Sequence, residues 1–458
     1  MINLEKDLIK YIFNSKNKIK INSKDIKKGD IFLALKGNKF HGNKFIDNAI
    51  LNGAKFCITD KILRRSNNKK ILIVADVLEY IQKIAIKKRL KFTGKVVGIT
   101  GSAGKTTLKE SLSFFLLKLC KVSFSKDSYN NKLGVLLTIL NLDLSAKYAI
   151  FELGTNNFGE IKNLTQLVKP SQIFITNIQS THLENFKTKN NIVNEKSSIF
   201  NLKYNKYRKI LYLNIIGKYE EKVLAKSKKE EGLKTILVGD KIEKYCIKNT
   251  IKTKNIYEAE FIIKNEIIKL YFKNLNKFHL NNILFCLAFF SENKLNIGII
   301  KKFQKNLKAV DGRGLIHNLI IKNKKIKGIN ESYNSNPDTM VQSIEYLNDL
   351  SLPKENKILI LGNMNELGNQ SEKMHSRVIK KIEAYNFKYV VLCGEFFRRA
   401  IIKVHEQKNK YVYLENKKKI MKFISTKVHK NDVILVKCSN NTEVNNFAKD
   451  LLKMRKIN

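Results

Sequence analysis

Residues 96–107 constrain the fold more than any other stretch of the chain. Val96–Thr100 reads as a strand, Gly101-Ser102-Ala103-Gly104-Lys105-Thr106-Thr107 follows, and Thr107–Leu119 has helical spacing. A strand that turns into a helix through glycines aims successive backbone N–H groups, and the positive end of a helix dipole, at one point. That arrangement holds phosphate. In such a loop Lys105 reaches the β- and γ-phosphates of a nucleotide, Thr106 offers its hydroxyl to Mg²⁺, and the backbone from Gly101 to Thr107 surrounds the phosphate oxygens. The strict pattern puts a glycine five residues before Gly104. That position is Ile99 here, with Gly98 just before it, so TGxxGKTT is a variant. A plain glycine turn is the alternative reading.

A nucleotide site also needs an acid for its metal. Tyr148–Phe151 is an apolar run ending in Glu152-Leu153-Gly154. A carboxylate at the C-terminal end of a parallel strand lies beside the phosphate loop in such folds; a merely solvated strand-end Glu is the competing explanation. Another run, Ile173–Thr176, leads into Asn177 and then His182-Leu183-Glu184. A lone histidine is more often structural than functional, so His182 is a candidate by position only.

Further apolar runs occur at Asp30–Leu35, Ile71–Val74, Ile210–Asn214, Ile358–Leu361, Tyr389–Cys393 and Val433–Val436, many of them separated by stretches with helical spacing. Runs apolar throughout and followed by helices predict parallel strands buried on both faces, and so an α/β chain. Ile251–Phe272 alternates instead, as antiparallel strands do. At 458 residues the chain is too long for one compact domain. The Lys-rich segment 87–95 and the segment 305–313 are the candidate boundaries, giving domains 1–86, 87–308 and 309–458.

The six cysteines are scattered with no CxxC, and the seven histidines form no HExxH pair. This argues for a reducing cytoplasm and for a hard cation on oxygen ligands. No apolar run approaches the roughly 18 residues of a membrane span, and Met1–Asn14 lacks the pattern of a signal peptide. The 87 Lys+Arg outnumber the 40 Asp+Glu, a formal charge of +47, which raises the prospect of a nucleic-acid partner. The excess is mostly Lys, spread evenly and accompanied by much Asn and Ile. A genome biased toward A/T codons produces the same composition.

Taken together, TGSAGKTT, FELGTNNFGEI, ITNIQSTHLENF, NESYNSNPDTM and LGNMNELG occur in the order seen in the Mur ligases, and the chain resembles that family over nearly its whole length. The resemblance implies a three-domain α/β architecture. It has an N-terminal UDP-sugar domain, a central P-loop domain with a mostly parallel sheet, and a C-terminal Rossmann-like domain that closes on the nucleotide and binds the incoming amine. It implies an ATP-dependent carbon–nitrogen ligase of peptidoglycan synthesis that works through an acyl phosphate with two Mg²⁺ ions. Asn130-Asn131 with Gly134-Val135, residues 154–161, and Glu331-Ser332-Tyr333-Asn334-Ser335-Asn336-Pro337 are most similar to members that join D-alanyl-D-alanine to UDP-N-acetylmuramoyl-tripeptide. A diamino-acid-adding or folate polyglutamating relative, or a basic P-loop ATPase acting on nucleic acid, are the alternatives.

By the same resemblance, Thr106, Glu152 and His182 are metal ligands. Lys196, which is 14 residues after His182, carries a carbamate that also faces the metal. Asn282, Arg313, Asn334 and Asn336 meet the nucleotide. Ser23, Lys36 and Gly37, with Asn130 and Asn131, contact the UDP-sugar substrate. A monomer without a specific nucleic-acid partner is expected. The chain departs from the family at Asn22-Ser23-Lys24, His41, Asp127-Ser128, Glu331, Asn363 and Lys437-Cys438-Ser439-Asn440. Several of these exchange an acid for Asn, or Arg for Lys or Asn, as A/T-biased drift does. Lys105, Thr106, Glu152 and His182 are untouched, so an active enzyme is expected.

Overall fold

The structure, a computed structural model, describes residues 2–14, 16, 18–37, 40–61, 69–125, 127–201, 203, 209–253, 256–273, 277–350, 352–402 and 411–454. Four sheets organise it. The N-terminal sheet holds β1 (Ile19–Lys20), β2 (Ile31–Ala34), β3 (Phe56–Thr59) and β4 (Ile71–Ile73), parallel and in sequence order. The helix Val77–Lys91 leads from it into the central sheet.

That sheet comprises β5 (Lys95–Thr100), β6 (Val122–Phe124), β7 (Tyr148–Glu152), β8 (Gln172–Ile175), β9 (Lys209–Asn214) and β10 (Leu233–Val238). All six are parallel, in the order β10-β9-β8-β5-β7-β6. Most positions of its central strands β5, β7, β8 and β9 are buried because both faces are covered. Ile173 and Ile175 enter one core, while Phe174 points the other way and stacks on Tyr212, with ring centroids 4.5 Å apart. Successive side chains of a strand alternate between faces, so each face receives its own set. The second face is closed by the helices Lys105–Leu116 and Lys277–Glu292 and by an antiparallel meander, β11 (Tyr245–Thr253), β12 (Ile256–Ile263) and β13 (Glu266–Lys273). The alternating stretch 251–272 falls within that meander.

The C-terminal sheet runs β14 (Leu315–Ile321), β15 (Lys324–Glu331), β19 (Val433–Lys437), β16 (Lys357–Gly362), β17 (Tyr389–Cys393) and β18 (Tyr411–Tyr413). Only β14 is antiparallel to its neighbour. Among the described residues no helix is long and apolar enough to cross a membrane.

Candidate active site

Parallel strands deliver their C-terminal ends to one side of a sheet. Because β5 lies between β7 and β8, the glycine loop, Glu152 and residues 176–182 converge there. The loop is held open from below. Thr176 Oγ1 donates to Ala103 O (2.6 Å), Ala103 N donates to Asn177 Oδ1 (2.9 Å), and Ser102 N donates to Asn177 O (3.0 Å). Gly101 sits at φ +140°, and a Cβ there would lie 1.9 Å from Thr176 Oγ1. Only glycine fits this contact. Gly104, at φ +81°, starts the helix Lys105–Leu116 and faces the side chain of Asn282.

Thr106 Oγ1 donates to Glu152 Oε2 (2.6 Å) and lies 3.0 Å from Ser128 Oγ; Asn130 Nδ2 donates to Glu152 Oε1 (2.8 Å). A hydroxyl and an ionisable carboxylate in contact, both buried, form a hard-oxygen pair. Among the described residues no three His, Cys, Asp or Glu gather as a metal cage. Mg²⁺ is characteristically held by one or two protein oxygens plus phosphates and water, so the donor set fits that ion.

Lys105 Nζ folds back onto Gly101 O (2.8 Å) and Ser102 O (3.4 Å), and Lys196 Nζ reaches the same Gly101 O (3.0 Å). Burial holds the Lys196 ammonium well below the usual lysine range. The positive charge of Lys105 adds to that, while Glu195 opposes it. Lys105 is lowered chiefly by burial, with Glu152 opposing and Arg313 adding.

The C-terminal unit closes the cleft. His182, at φ +52°, places Nδ1 2.6 Å from Glu366 Oε2. The proximity of His182 holds the Glu366 carboxyl below its usual value. Asn336 Nδ2 donates to Gln179 Oε1 (3.2 Å), and Ser180 N donates to Asp338 Oδ2 (3.0 Å). Arg313 stacks 4.2 Å over the Tyr333 ring and donates to Ser128 Oγ (3.0 Å). Asn334 is exposed at the rim, its carbonyl accepting from Lys437 Nζ (2.9 Å).

One cleft is thus lined by Ser102, Ala103, Gly104, Lys105, Thr107, Asn130, Glu152, His182, Asn282, Arg313, Asn334 and Asn336. Gly101, Thr106 and Lys196 stand immediately behind its wall through the bonds given above. Asn131 Oδ1 accepts from Gly134 N (2.9 Å) and caps the helix Lys132–Leu140. Ser23, Lys36 and Gly37 lie in the N-terminal unit, outside this cleft.

Several residues here have no signal in the sequence. Glu195 accepts from Gly159 N (2.7 Å), Ile161 N (2.8 Å) and Thr155 Oγ1 (3.2 Å), fixing the loop after Glu152. The buried Lys109 ties the same helix as Lys105 to Ser125 O (2.6 Å) and to Asp127 O. His375 is fully buried behind Glu366. Its Nδ1–H donates to Ser371 O (2.7 Å) and its Nε2 accepts from Met364 N (3.0 Å), a pattern that requires the neutral ring. Burial pushes His375 down to about 4. Unfolded chain takes up this proton near pH 6.5 and folded chain only near pH 4, so stability falls as pH drops through that window, by about 3 kcal/mol in all. Urea melts between pH 7 and 4 should show the loss, and His375→Gln should reduce the slope without abolishing it, because burial also pushes His279 down to about 4.

The architecture and site define a three-unit P-loop enzyme whose nucleotide cleft is completed by its C-terminal unit. Profiles of the Mur ligase family match three stretches: the family's catalytic domain over residues 17–91, the middle domain over 99–290 and the glutamate ligase domain over 318–440. The UDP-N-acetylmuramoyl-tripeptide–D-alanyl-D-alanine ligase of Rickettsia prowazekii is 31% identical, over 94% of this chain and 94% of its own. Among solved structures, MurF from Acinetobacter baumannii superposes with a TM-score of 0.80 at 23% identity, covering 95% of this chain and 93% of that one. MurF of Thermotoga maritima, in complex with ADP, gives 0.77 at 27% identity, covering 96% and 98%. The chain belongs to the Mur ligase family.

Proposed function

We propose that this chain joins D-alanyl-D-alanine to UDP-N-acetylmuramoyl-tripeptide with ATP, forming the pentapeptide precursor of peptidoglycan. One observation carries the reading. Lys105, the Thr106–Glu152 pair and Arg313 from the C-terminal unit meet in one cleft, in a chain similar from end to end to ligases of that name. In this reading residues 1–86 hold the UDP-sugar, with Ser23, Lys36 and Gly37 facing it. Residues 87–308 hold ATP, and residues 309–458 bind the dipeptide. The first division falls within the helix Val77–Lys91. In this reading the enzyme acts as a cytoplasmic monomer.

A carboxylate does not acylate an amine without a leaving group. The tripeptide's terminal carboxylate oxygen attacks the γ-phosphorus, ADP departs, and an acyl phosphate forms. The dipeptide amine then attacks the acyl carbon, and phosphate leaves from the tetrahedral intermediate as the amine proton is released. Phosphoryl transfer of this kind is accelerated by positioning and charge neutralisation. Lys105 and the loop amides orient the β- and γ-phosphates. Arg313, planar and pre-stacked on Tyr333, suits bidentate phosphate contact. Asn282, buried beside Gly104, and Asn334 and Asn336 border the nucleotide.

Thr106 and Glu152 would hold one Mg²⁺ and His182 a second, with Lys196 as its carbamate beside them. Bound ions would neutralise the repulsion between the carboxylate and the γ-phosphate. Support for the carbamate is chemical: a lysine held neutral is a nucleophile, and its amine adds to CO₂ with release of one proton. The acyl-phosphate route has a direct test. Tripeptide labelled with oxygen-18 in its terminal carboxylate should pass one labelled oxygen to each phosphate released, and unlabelled phosphate would count against the route.

A further inference from the structure

The helix Val77–Lys91 buries Val77, Ile81, Ile84 and Ala85 along one stripe, and the next two positions of that stripe are Lys88 and Arg89. An apolar stripe that ends in two buried cations needs an explanation, since buried charges are retained only where they are satisfied. Lys88 is 2% exposed. Its Nζ donates to Ile12 O (2.9 Å) and to Leu140 O (2.6 Å). These carbonyls belong to the last turns of the helices Ile2–Asn14 and Lys132–Leu140. Arg89 does the same for a third helix, donating to Val168 O (2.6 Å) and Lys169 O (2.9 Å) at the end of Glu160–Val168. The last carbonyls of a helix lack intrahelical partners and carry its negative dipole end. Three such ends therefore converge on two adjacent cations.

Lys88 is the member of the pair that spans two units. One of its acceptors is in the N-terminal helix and the other is in the P-loop unit. The same seam is reinforced by Asn141, whose side chain pairs with both backbone groups of Ile19 (2.8 and 3.0 Å). The opposite end of the helix Lys132–Leu140 begins at the Asn131 cap, next to Asn130, which holds Glu152. That helix is a rigid rod, with the N-terminal unit stapled to one end and the metal carboxylate braced at the other.

We infer that Lys88 fixes the docking of the N-terminal unit on the P-loop unit, and is thereby a positioning residue for the UDP-sugar substrate. The substrate part of this rests on the function proposed above; the docking part does not. Removing the ammonium leaves two helix ends unpaired at the seam, so the angle between the units should broaden. A substrate gripped at its sugar by one unit and reacting in the other is then misplaced. Misplacement of this kind can cost on the order of 10²-fold.

Lys88→Met should lower kcat/KM for UDP-N-acetylmuramoyl-tripeptide by about tenfold to 10²-fold, leaving the KM for ATP within about twofold. Lys88→Arg, which keeps charge and reach, should restore most of the loss. Spin labels at Leu51→Cys and Leu117→Cys, in a Cys120→Ser background, report the inter-unit distance without any turnover. Both leucines are exposed. Lys88→Met should widen that distance distribution. A distribution identical to that of the parent overturns the proposal whatever the kinetics show, and so does a parallel rise in the KM for ATP. If the parent protein does not turn over these substrates, the functional reading fails while the distance measurement still decides the docking. Should Lys88→Met not fold, Lys88→Gln, neutral and shorter, carries the same test.

Discussion

Lys105→Ala should lower amide-forming turnover by about 10³-fold while leaving the melting temperature nearly unchanged. The two halves of that expectation come from different contacts. Among the described residues the Lys105 ammonium bonds the loop carbonyls of Gly101 and Ser102, and the loop keeps its shape through Thr176, Asn177 and Ser102 without it. Stability therefore hardly depends on it. Phosphoryl transfer does, because charge builds on the β–γ bridge where a point charge on a flexible stem can follow it. Another cation of the cleft wall, Arg313, belongs to the C-terminal unit and is parked on Tyr333 and Ser128. Steady-state phosphate release at saturating ATP checks the rate, and calorimetry checks the fold. A loss below tenfold would remove Lys105 from the phosphate-binding role.

Lys196→Ala should be nearly inactive, down by about 10²-fold or more, and should recover activity in millimolar acetate or propionate. Lys196 is deep behind the loop with Gly101 O as its hydrogen-bond acceptor. A second ammonium there would face Lys105 across one carbonyl, and burial together with that charge already favours the neutral amine. Conversion to a carbamate replaces that neutral amine with an anion behind the phosphate loop, next to Gly101. A small carboxylate entering the cavity left by Ala supplies the same charge, which is why rescue distinguishes this role from a packing role. Full activity in the mutant, or a loss that no carboxylate repairs, would remove the carbamate from the account.

Much of this was legible before the fold was known. The glycine loop and the run ending in Glu152 predict both strands and their adjacency, because phosphate and metal chemistry need fixed residue types at fixed ends of strands. The alternation after Ile251 likewise predicts the meander. Residues that act through tertiary contacts left no pattern. Glu195 is one carboxylate in a polar helix until the fold brings Gly159 and Ile161 to it. Lys88 and Arg89 sit in a Lys-rich stretch that composition alone marks as a boundary, yet both are buried: Lys88 staples the seam, and Arg89 ties its helix to the end of Glu160–Val168. The helix cap made by Asn131 likewise left no pattern beyond the residue type.

The charge of +47 also takes a different meaning. Part of it is structural, as in Lys88, Lys109 and Lys209, each buried against backbone carbonyls. The remainder favours the approach of polyanionic substrates from a distance, and ATP and a UDP-sugar peptide are both of that kind.

The central claim is tested most directly by ATP-dependent phosphate release with each reactant omitted in turn. The account predicts release only when UDP-N-acetylmuramoyl-tripeptide and D-alanyl-D-alanine are both present, with one pentapeptide formed per ATP. ATP turnover that ignores these two substrates and depends on DNA or RNA, or that proceeds only with a diamino acid in place of the dipeptide, would contradict it.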